Sequence, residues 1–310
     1  MLSGEAKETL KEIVTGNLLF DEPMENHTSF HVGGPAEVLI VPKDESDLIR
    51  AINFANENSI RMTIIGAGTK LLVSDDGLSG IVIKMSSCLS DLRIFGCEVE
   101  AGAGLIMSNL SRSVGEQGLS GLEFAVGIPG TVGGGVIMNA GAHKSSLSDV
   151  VKSVKAITLE GEEREFTKDE LGFDYRKSIL QGSSMIVISA KLALRSGSVE
   201  EISEKMNGYL KWRKENQPLD FPNAGSIFVN PPGQVAGKLI DAADMGGFVI
   251  GGAQVSEKRC NFILNLGNAK ASDIRSLITL VKKRVYERFK IRLECEIRFM
   301  GFQDEDSSMD

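Results

Sequence analysis

Apolar residues recur every three or four positions in some stretches of the chain and alternate with polar ones in others. Those two periods predict its elements. Residues 3–15 carry Leu10, Ile13 and Val14 on one side of a short helix. Residues 44–58 place Leu48, Ile52 and Ala55 on one helical face behind a capping Asp44. Residues 105–117 do the same with Leu105, Leu110 and Val114. A longer helix opens at Ser198-x-x-Glu201, with Val199, Ile202, Met206 and Tyr209 in one stripe and Trp212 near its end. Residues 234–243 and 273–289 are helices too, the second with positions 274, 277, 278, 281 and 285 facing a core. Strands are predicted at 36–41, 62–65, 81–84, 97–101, 185–194, 248–255 and 261–266. A hairpin over 150–160 and 164–167 turns at Glu160-Gly161. Thr167-x-x-Glu170 has the form of a capping box that would start a brief helix. Residues 291–299 alternate strictly, which predicts a strand with Arg292, Glu294, Glu296 and Arg298 on its polar face.

The order of these elements predicts three domains and a tail. Residues 1–84 form a small α/β unit, 85–197 a mainly β unit and 198–302 a second α/β domain, with 195–198 as a linker. Residues 303–310 are too polar to pack and are expected to be disordered. A chain of 310 residues has room for this many cores.

Composition narrows the function classes. The chain is 42% hydrophobic and 25% charged, as ordinary globular proteins are. No stretch approaches the apolar length of a membrane span, and the amino terminus lacks the core of a signal peptide, so no membrane insertion and a cytoplasmic location are expected. A net charge of −8 with no basic stripe speaks against nucleic acid as a partner. The cysteines at 88, 97, 260 and 295 form no C-x-x-C pair and no zinc spacing with the three histidines, so reduced thiols and no metal site are expected. His27, His31 and His143 read as structural or surface residues.

Candidate chemistry centres on 127–142, GIPGTVGGGVIMNAGA, in which six of sixteen residues are glycine. Such a segment can bring successive backbone N–H groups together around a diphosphate. It reads equally as a glycine-rich loop packed on a helix. A second turn, Gly66-Ala67-Gly68-Thr69-Lys70, follows a short apolar strand and favours a long nucleotide cofactor gripped at two points. The third glycine of a Rossmann G-x-G-x-x-G is missing after Gly68, and no P-loop, G-x-S-x-G or H-E-x-x-H motif exists.

Longer motifs carry a resemblance. HTSFHVGGPA (27–36), GAGTKLLVSDDG (66–77) and GLSGLEFAVGIPGTVGGGVIMNAGA (118–142) come first. FDYRKS (173–178), NAGSIFVNP (223–231), GAQVSEKRCNFILN (252–265) and LECEIRFMG (293–301) follow. In this order and spacing they resemble the UDP-N-acetylenolpyruvoylglucosamine reductase family in its shorter form. The resemblance implies an α+β fold: a two-subdomain FAD-binding module of the vanillyl-alcohol-oxidase type followed by an α/β substrate-binding domain. It implies FAD as cofactor, NADPH as hydride donor and a UDP-sugar enolpyruvyl ether as substrate, reduced to UDP-N-acetylmuramate for peptidoglycan. The 66–70 turn contains no histidine, the residue that related oxidases link to flavin, so non-covalent FAD is expected.

The same resemblance implies site residues. Arg176, Ser226 and Glu296 take the catalytic positions: a cation for the substrate carboxylate, a proton donor and a carboxylate that polarises the intermediate. By its surroundings in the sequence alone each reads as ordinary: a surface ion pair, a turn serine and a solvated carboxylate. Cofactor contacts fall on Gly66, Ala67, Gly68, Thr69, Lys70 and Leu71, and on Gly127, Ile128, Gly130, Thr131 and Gly134. Lys70, where the family commonly has Asn, reads either as a phosphate ligand or as a solvated cation, the second being favoured. Substrate contacts fall on Tyr175, Asn230 and Glu257. Gln217 stands where longer relatives place a lysine for the diphosphate. A flavin oxidase and a non-catalytic nucleotide-binding module are the competing readings.

Overall fold

The computed structural model describes residues 2–302, and the tail expected to be disordered lies outside them. The chain forms two compact units. One contains the chain up to Phe20, Glu37–Ala67 and Gly80–Arg213; the other contains Asp21–Ala36, Gly68–Ser79 and the chain from Lys214 onward.

In the first unit, a four-stranded sheet runs in the order Asn17–Pro23, Pro35–Val41, Leu78–Lys84, Met62–Ile65. Met62–Ile65 lies parallel to Ile81–Lys84, and helix Glu45–Glu57 precedes it. The Asp44 carboxylate caps that helix by accepting from Asp47 N at 2.9 Å. Leu48, Ala51, Ile52 and Ala55 bury its apolar face with Val38, Ile40, Ile81 and Ile83. Beneath them the Asp47 carboxylate is fully buried, accepting from the backbone N–H groups of Thr15 and Gly16 at 2.8 Å and of Lys43 at 3.0 Å, and from Arg50 Nη2 at 2.9 Å. A single carboxylate thus satisfies three backbone donors from two loops.

The same unit holds a five-stranded antiparallel sheet, in the order Glu163–Thr167, Val151–Ile157, Ile186–Ala193, Glu98–Gly102, Leu92–Phe95. Helices Met107–Glu116 and Val132–Ile137 contribute Leu110, Val114, Val132 and Val136 to a core with Val99, Val154, Ala190 and Leu192. Arg195 and Ser196, read from the sequence as linker, form a short strand against Leu119 and Ser120. Thr167 and Glu170 exchange the hydrogen bonds of a capping box, yet only a turn follows. Turns closed by Leu171 N to Thr167 O at 3.2 Å and Gly172 N to Asp169 O at 3.3 Å take the place of the expected helix before Phe173, and an isolated bridge between Asp174 and Lys177 follows.

The second unit packs helices Ala236–Ala242 and Ala271–Phe289 on a three-stranded antiparallel sheet of Val249–Ile250, Ala253–Val255 and Ile263–Asn265. Ile274, Leu277, Ile278, Val281 and Val285 face the core, as the periodicity predicts. The strand expected over 248–255 is a hairpin instead: Gly251 takes a φ of +53° at its corner, where a Cβ would lie 2.3 Å from the Asp273 carboxylate. Segment 68–79 belongs with this unit because Leu71–Val73 pairs in parallel with Arg298–Met300, and because the Asp75 carboxylate accepts from Ala271 N at 2.8 Å and Ser272 N at 3.0 Å.

The alternation read over 291–299 does not produce one strand. Cys295 makes an isolated bridge to Phe228, and regular pairing begins only at Arg298. Glu296 lies in the break between them, and its side chain turns inward.

Candidate active site

Within the first unit the two glycine-bearing turns meet. The Thr131 hydroxyl caps helix Val132–Ile137 by accepting from Gly134 N at 3.3 Å. A Cβ on Gly66 would lie 2.6 Å from that same hydroxyl oxygen. Gly130 has a φ of +110°, a conformation side chains rarely adopt, and carries the chain from Gly127 and Ile128 into the cap. Ala67 adjoins Gly66 at the end of this unit's segment. Two turns far apart in sequence therefore present side-chain-free backbone at one place. That fits the phosphate and ribose portions of a dinucleotide, which need close backbone approach and N–H donors.

Past the same short helix, Asn139 is buried in the left-handed region at φ +41° and organises the loop that bears Arg176. Its Nδ2 donates to Asp174 O at 2.9 Å, and its Oδ1 accepts from Ser148 N at 3.0 Å. Asp174 and Lys177 exchange backbone hydrogen bonds of 3.0 and 3.1 Å, leaving Tyr175 and Arg176 at the tip. Arg176 is itself left-handed at φ +57°, a costly conformation for a long side chain. Its Nη2 donates to Gly141 O at 2.7 Å, so the glycine segment aims the guanidinium. Tyr175 is exposed, its ring 5.4 Å from the Arg176 guanidinium carbon. Nothing in the sequence singles out Asn139 beyond its type and place, an asparagine two residues past a glycine-rich helix, where left-handed backbone favours that residue. His143 stacks on Tyr209 at a ring separation of 3.8 Å, and burial pushes its pKa down.

Within the second unit, Ser226 and Glu296 come together. Ser226 lies in a half-buried turn after Gly225, which has a φ of +72°. The turn is locked by Asn261, whose amide both accepts from Phe228 N and donates to Phe228 O at 2.9 Å, and whose carbonyl accepts from Ile227 N at 2.9 Å. Val229 N donates to Glu294 O at 2.9 Å and Glu296 N to Ile227 O at 2.7 Å, fastening the Ser226 turn to the segment bearing Glu296. Glu296 is only 8% exposed. The solvated carboxylate read from the alternation is therefore a buried one, because the break before Arg298 rotates it off the polar face.

Lys70 explains how that burial is tolerated. Its Nζ lies 2.9 Å from Glu296 Oε1 and donates to Ser226 O at 2.7 Å. The free, solvated ammonium favoured for Lys70 is thus corrected: the cation is an internal partner of Glu296, since a buried carboxylate needs a compensating charge. Gly68, with a φ of +69°, sits where a Cβ would strike His27 O, and Thr69, Lys70 and Leu71 lead from it into the parallel pair.

The substrate candidates are more dispersed. Asn230 is exposed, and its Oδ1 accepts from Ala236 N, the first N–H of helix Ala236–Ala242, at 3.0 Å. Glu257 is exposed over Gly247, where a Cβ would approach its Oε1 to 2.8 Å. Beside Gln217 stands a cation the sequence did not single out: Lys258 Nζ donates to the carbonyls of Gln217 at 3.0 Å and Lys214 at 3.2 Å.

Comparison with known proteins gives this arrangement its context. Residues 36–167 match a family model described as an FAD binding domain, and residues 217–300 match the UDP-N-acetylenolpyruvoylglucosamine reductase C-terminal domain. The reductase of Alkaliphilus oremlandii is 44% identical over 96% of this chain and 98% of its own length. That of Caldanaerobacter subterraneus is 44% identical over 97% of this chain and 98% of its own. The chain belongs to the UDP-N-acetylenolpyruvoylglucosamine reductase family. The crystal structure of a reductase from Thermus caldophilus superimposes with a TM-score of 0.78 at 34% identity, covering 92% of this chain and 98% of the other.

Membership makes this α+β protein a flavoprotein oxidoreductase of peptidoglycan precursor synthesis. It uses FAD and NADPH to reduce the enolpyruvyl ether of UDP-N-acetylglucosamine to UDP-N-acetylmuramate. The glycine backbone at Gly66 and Gly130–Thr131 fits the FAD that this family binds. Among the described residues no helix is long and apolar enough to cross a membrane, and no group of three or more potential ligands could hold a metal ion.

Proposed function

We propose that Arg176, Ser226 and Glu296 carry the reduction, with Ser226 as the proton donor. FAD held at the Gly66 and Gly130–Thr131 backbone and reduced by NADPH would supply hydride chemistry at the terminal vinyl carbon of the substrate. The negative charge left on the α-carbon spreads into the neighbouring carboxylate. Arg176 meets that anion with a permanently charged planar fork, which its two backbone carbonyl partners hold in one orientation. The Ser226 hydroxyl gives its proton to the α-carbon, and solvent restores it. Serine is a weak acid, so this step needs a strongly basic carbanion and a fixed distance; the pairing of 226–229 with Asn261 and with 294–296 supplies the second. Glu296 polarises the same region. The observation that carries the reading is the joint placement of Ser226 and Glu296 on one ammonium.

The remaining assignments rest on the same reading. Gly66, Ala67, Gly68, Thr69, Lys70 by its backbone and Leu71, with Gly127, Ile128, Gly130, Thr131 and Gly134, line the FAD, held non-covalently. Tyr175, Asn230 and Glu257 contact the UDP-sugar, and Lys258 supplies beside Gln217 the positive charge that the diphosphate requires. Residues 1–84 and 85–197 serve the cofactor and 198–302 the substrate, in the cytoplasm.

One assay separates this from its rivals. The FAD-bound protein is mixed with NADPH and the enolpyruvyl substrate, with and without oxygen. Substrate-dependent NADPH oxidation in the absence of oxygen is expected. Oxidation that requires oxygen would identify an oxidase, and no turnover a nucleotide-binding module.

A further inference from the structure

Lys70 lies in a turn that the sequence associates with FAD, yet its ammonium points at other groups. It contacts Glu296 Oε1 at 2.9 Å and Ser226 O at 2.7 Å. Its main chain is tied to the same place: Arg298 N donates to Lys70 O at 2.8 Å, just before Leu71–Val73 and Arg298–Met300 pair. One residue therefore grips the Glu296 segment by backbone and side chain, and the Ser226 turn by side chain. A Cβ on Gly225 would lie 3.5 Å from Lys70 Nζ, so the turn passes directly over the ammonium.

We infer that Lys70 is a positioning residue for the reduction, acting through Glu296 and the Ser226 turn rather than through a cofactor phosphate. The inference rests on the catalytic roles proposed above. Its physical basis is charge. The substrate is a carboxylate, and hydride addition gives it a second developing negative charge on the α-carbon. A lone buried Glu296 would repel both. With the Lys70 ammonium in contact, the Glu296–Lys70 pair is neutral overall, and the carboxylate can lie close to the reacting acid without raising its energy. The second hydrogen bond fixes the distance from this pair to the proton donor. A displacement of about 1 Å at a reacting centre can cost on the order of 100-fold in rate.

The test separates the two half-reactions by stopped-flow absorbance in the FAD-bound enzyme. Lys70→Met is expected to retain FAD and to be reduced by NADPH within about twofold of wild type. Its reoxidation by saturating enolpyruvyl substrate is expected to slow by about 100-fold. Lys70→Arg keeps the charge and is expected to recover most of that loss, whereas Lys70→Gln keeps a donor for Ser226 O and is expected to recover little. In combination with Glu296→Gln, Lys70→Met is expected to slow the reaction by much less than it does alone, because only the part that runs through the Ser226 turn remains to be lost.

Multiplicative effects in the double variant would overturn the inference. So would wild-type reoxidation in Lys70→Met. Loss of FAD from both Lys70→Met and Lys70→Gln would assign the ammonium to the cofactor or to folding, and would overturn it as well. If wild-type enzyme that NADPH reduces is not reoxidised by the substrate, the proposed reaction itself fails, and the Lys70 inference with it.

Discussion

The Thr131 hydroxyl sits where a side chain on Gly66 would have to go. A Cβ on Gly66 would lie 2.6 Å from Thr131 Oγ1 and 3.6 Å from Thr131 Cγ2, while the hydroxyl is engaged in capping the next helix through Gly134 N. The two glycine turns thus approach each other closely at a hydroxyl that serves one of them as a cap.

Gly66→Ala is expected to displace that cap. Gly66 is not among the residues of positive φ, so the cost is steric rather than conformational. Loss of the cap and the overpacking together should destabilise the protein by about 1–3 kcal/mol. FAD content, read as the ratio of flavin to protein absorbance, should fall with it. A variant with wild-type flavin content and melting temperature would show that the contact carries no weight.

Ser226→Ala should leave reduction of the bound flavin by NADPH near normal and slow its reoxidation by the substrate. A positioned proton donor contributes about 10²–10⁴-fold, so the rate should fall by at least the lower figure. Reoxidation at wild-type speed would place the proton source elsewhere.

Lys258→Gln should raise the KM for the UDP-sugar and leave kcat little changed. Lys258 is exposed, and backbone carbonyls anchor its ammonium, so the protein should fold without the charge. A hydrogen bond to a charged group contributes about 1.5–3 kcal/mol, which corresponds to a rise of about tenfold or more. An unchanged KM would remove Lys258 from the diphosphate.

Asp47 should make stability pH-dependent. Burial pushes its pKa up, but the N–H groups of Thr15, Lys43 and Gly16 and the Arg50 guanidinium outweigh this and hold it below the usual value of 3.8. A carboxyl with a lowered folded-state pKa stabilises the fold above its unfolded value, and that contribution disappears as pH falls through the folded one. Asp47→Asn should therefore be less stable than wild type at pH 7 by urea unfolding, with the gap narrowing as pH falls below about 4. An equal gap at pH 7 and pH 3 would exclude ionisation as the source.

The Asp44 cap, the buried face of 45–57 and the core stripe of 271–289 were legible in the sequence, since each depends on spacing within a single element. So were the glycine turns and the motifs that carry the resemblance, and with them the reductase family. The character of Glu296 was not. Its place in an alternating run predicted a solvated carboxylate, and only the bridge of Cys295 to Phe228 and the late start of pairing at Arg298 turned it inward. Lys70 was misread for the same reason. A lysine in a glycine turn has no local partner, and its ammonium acquired one only when Leu71–Val73 was laid beside Arg298–Met300. Local periodicity fixes which residues can share a face, because helix and strand geometry repeat over a few positions. Which buried charge meets which depends on contacts between segments far apart in sequence. Those are set by packing and by the need to compensate each buried charge, and only the tertiary structure decides them.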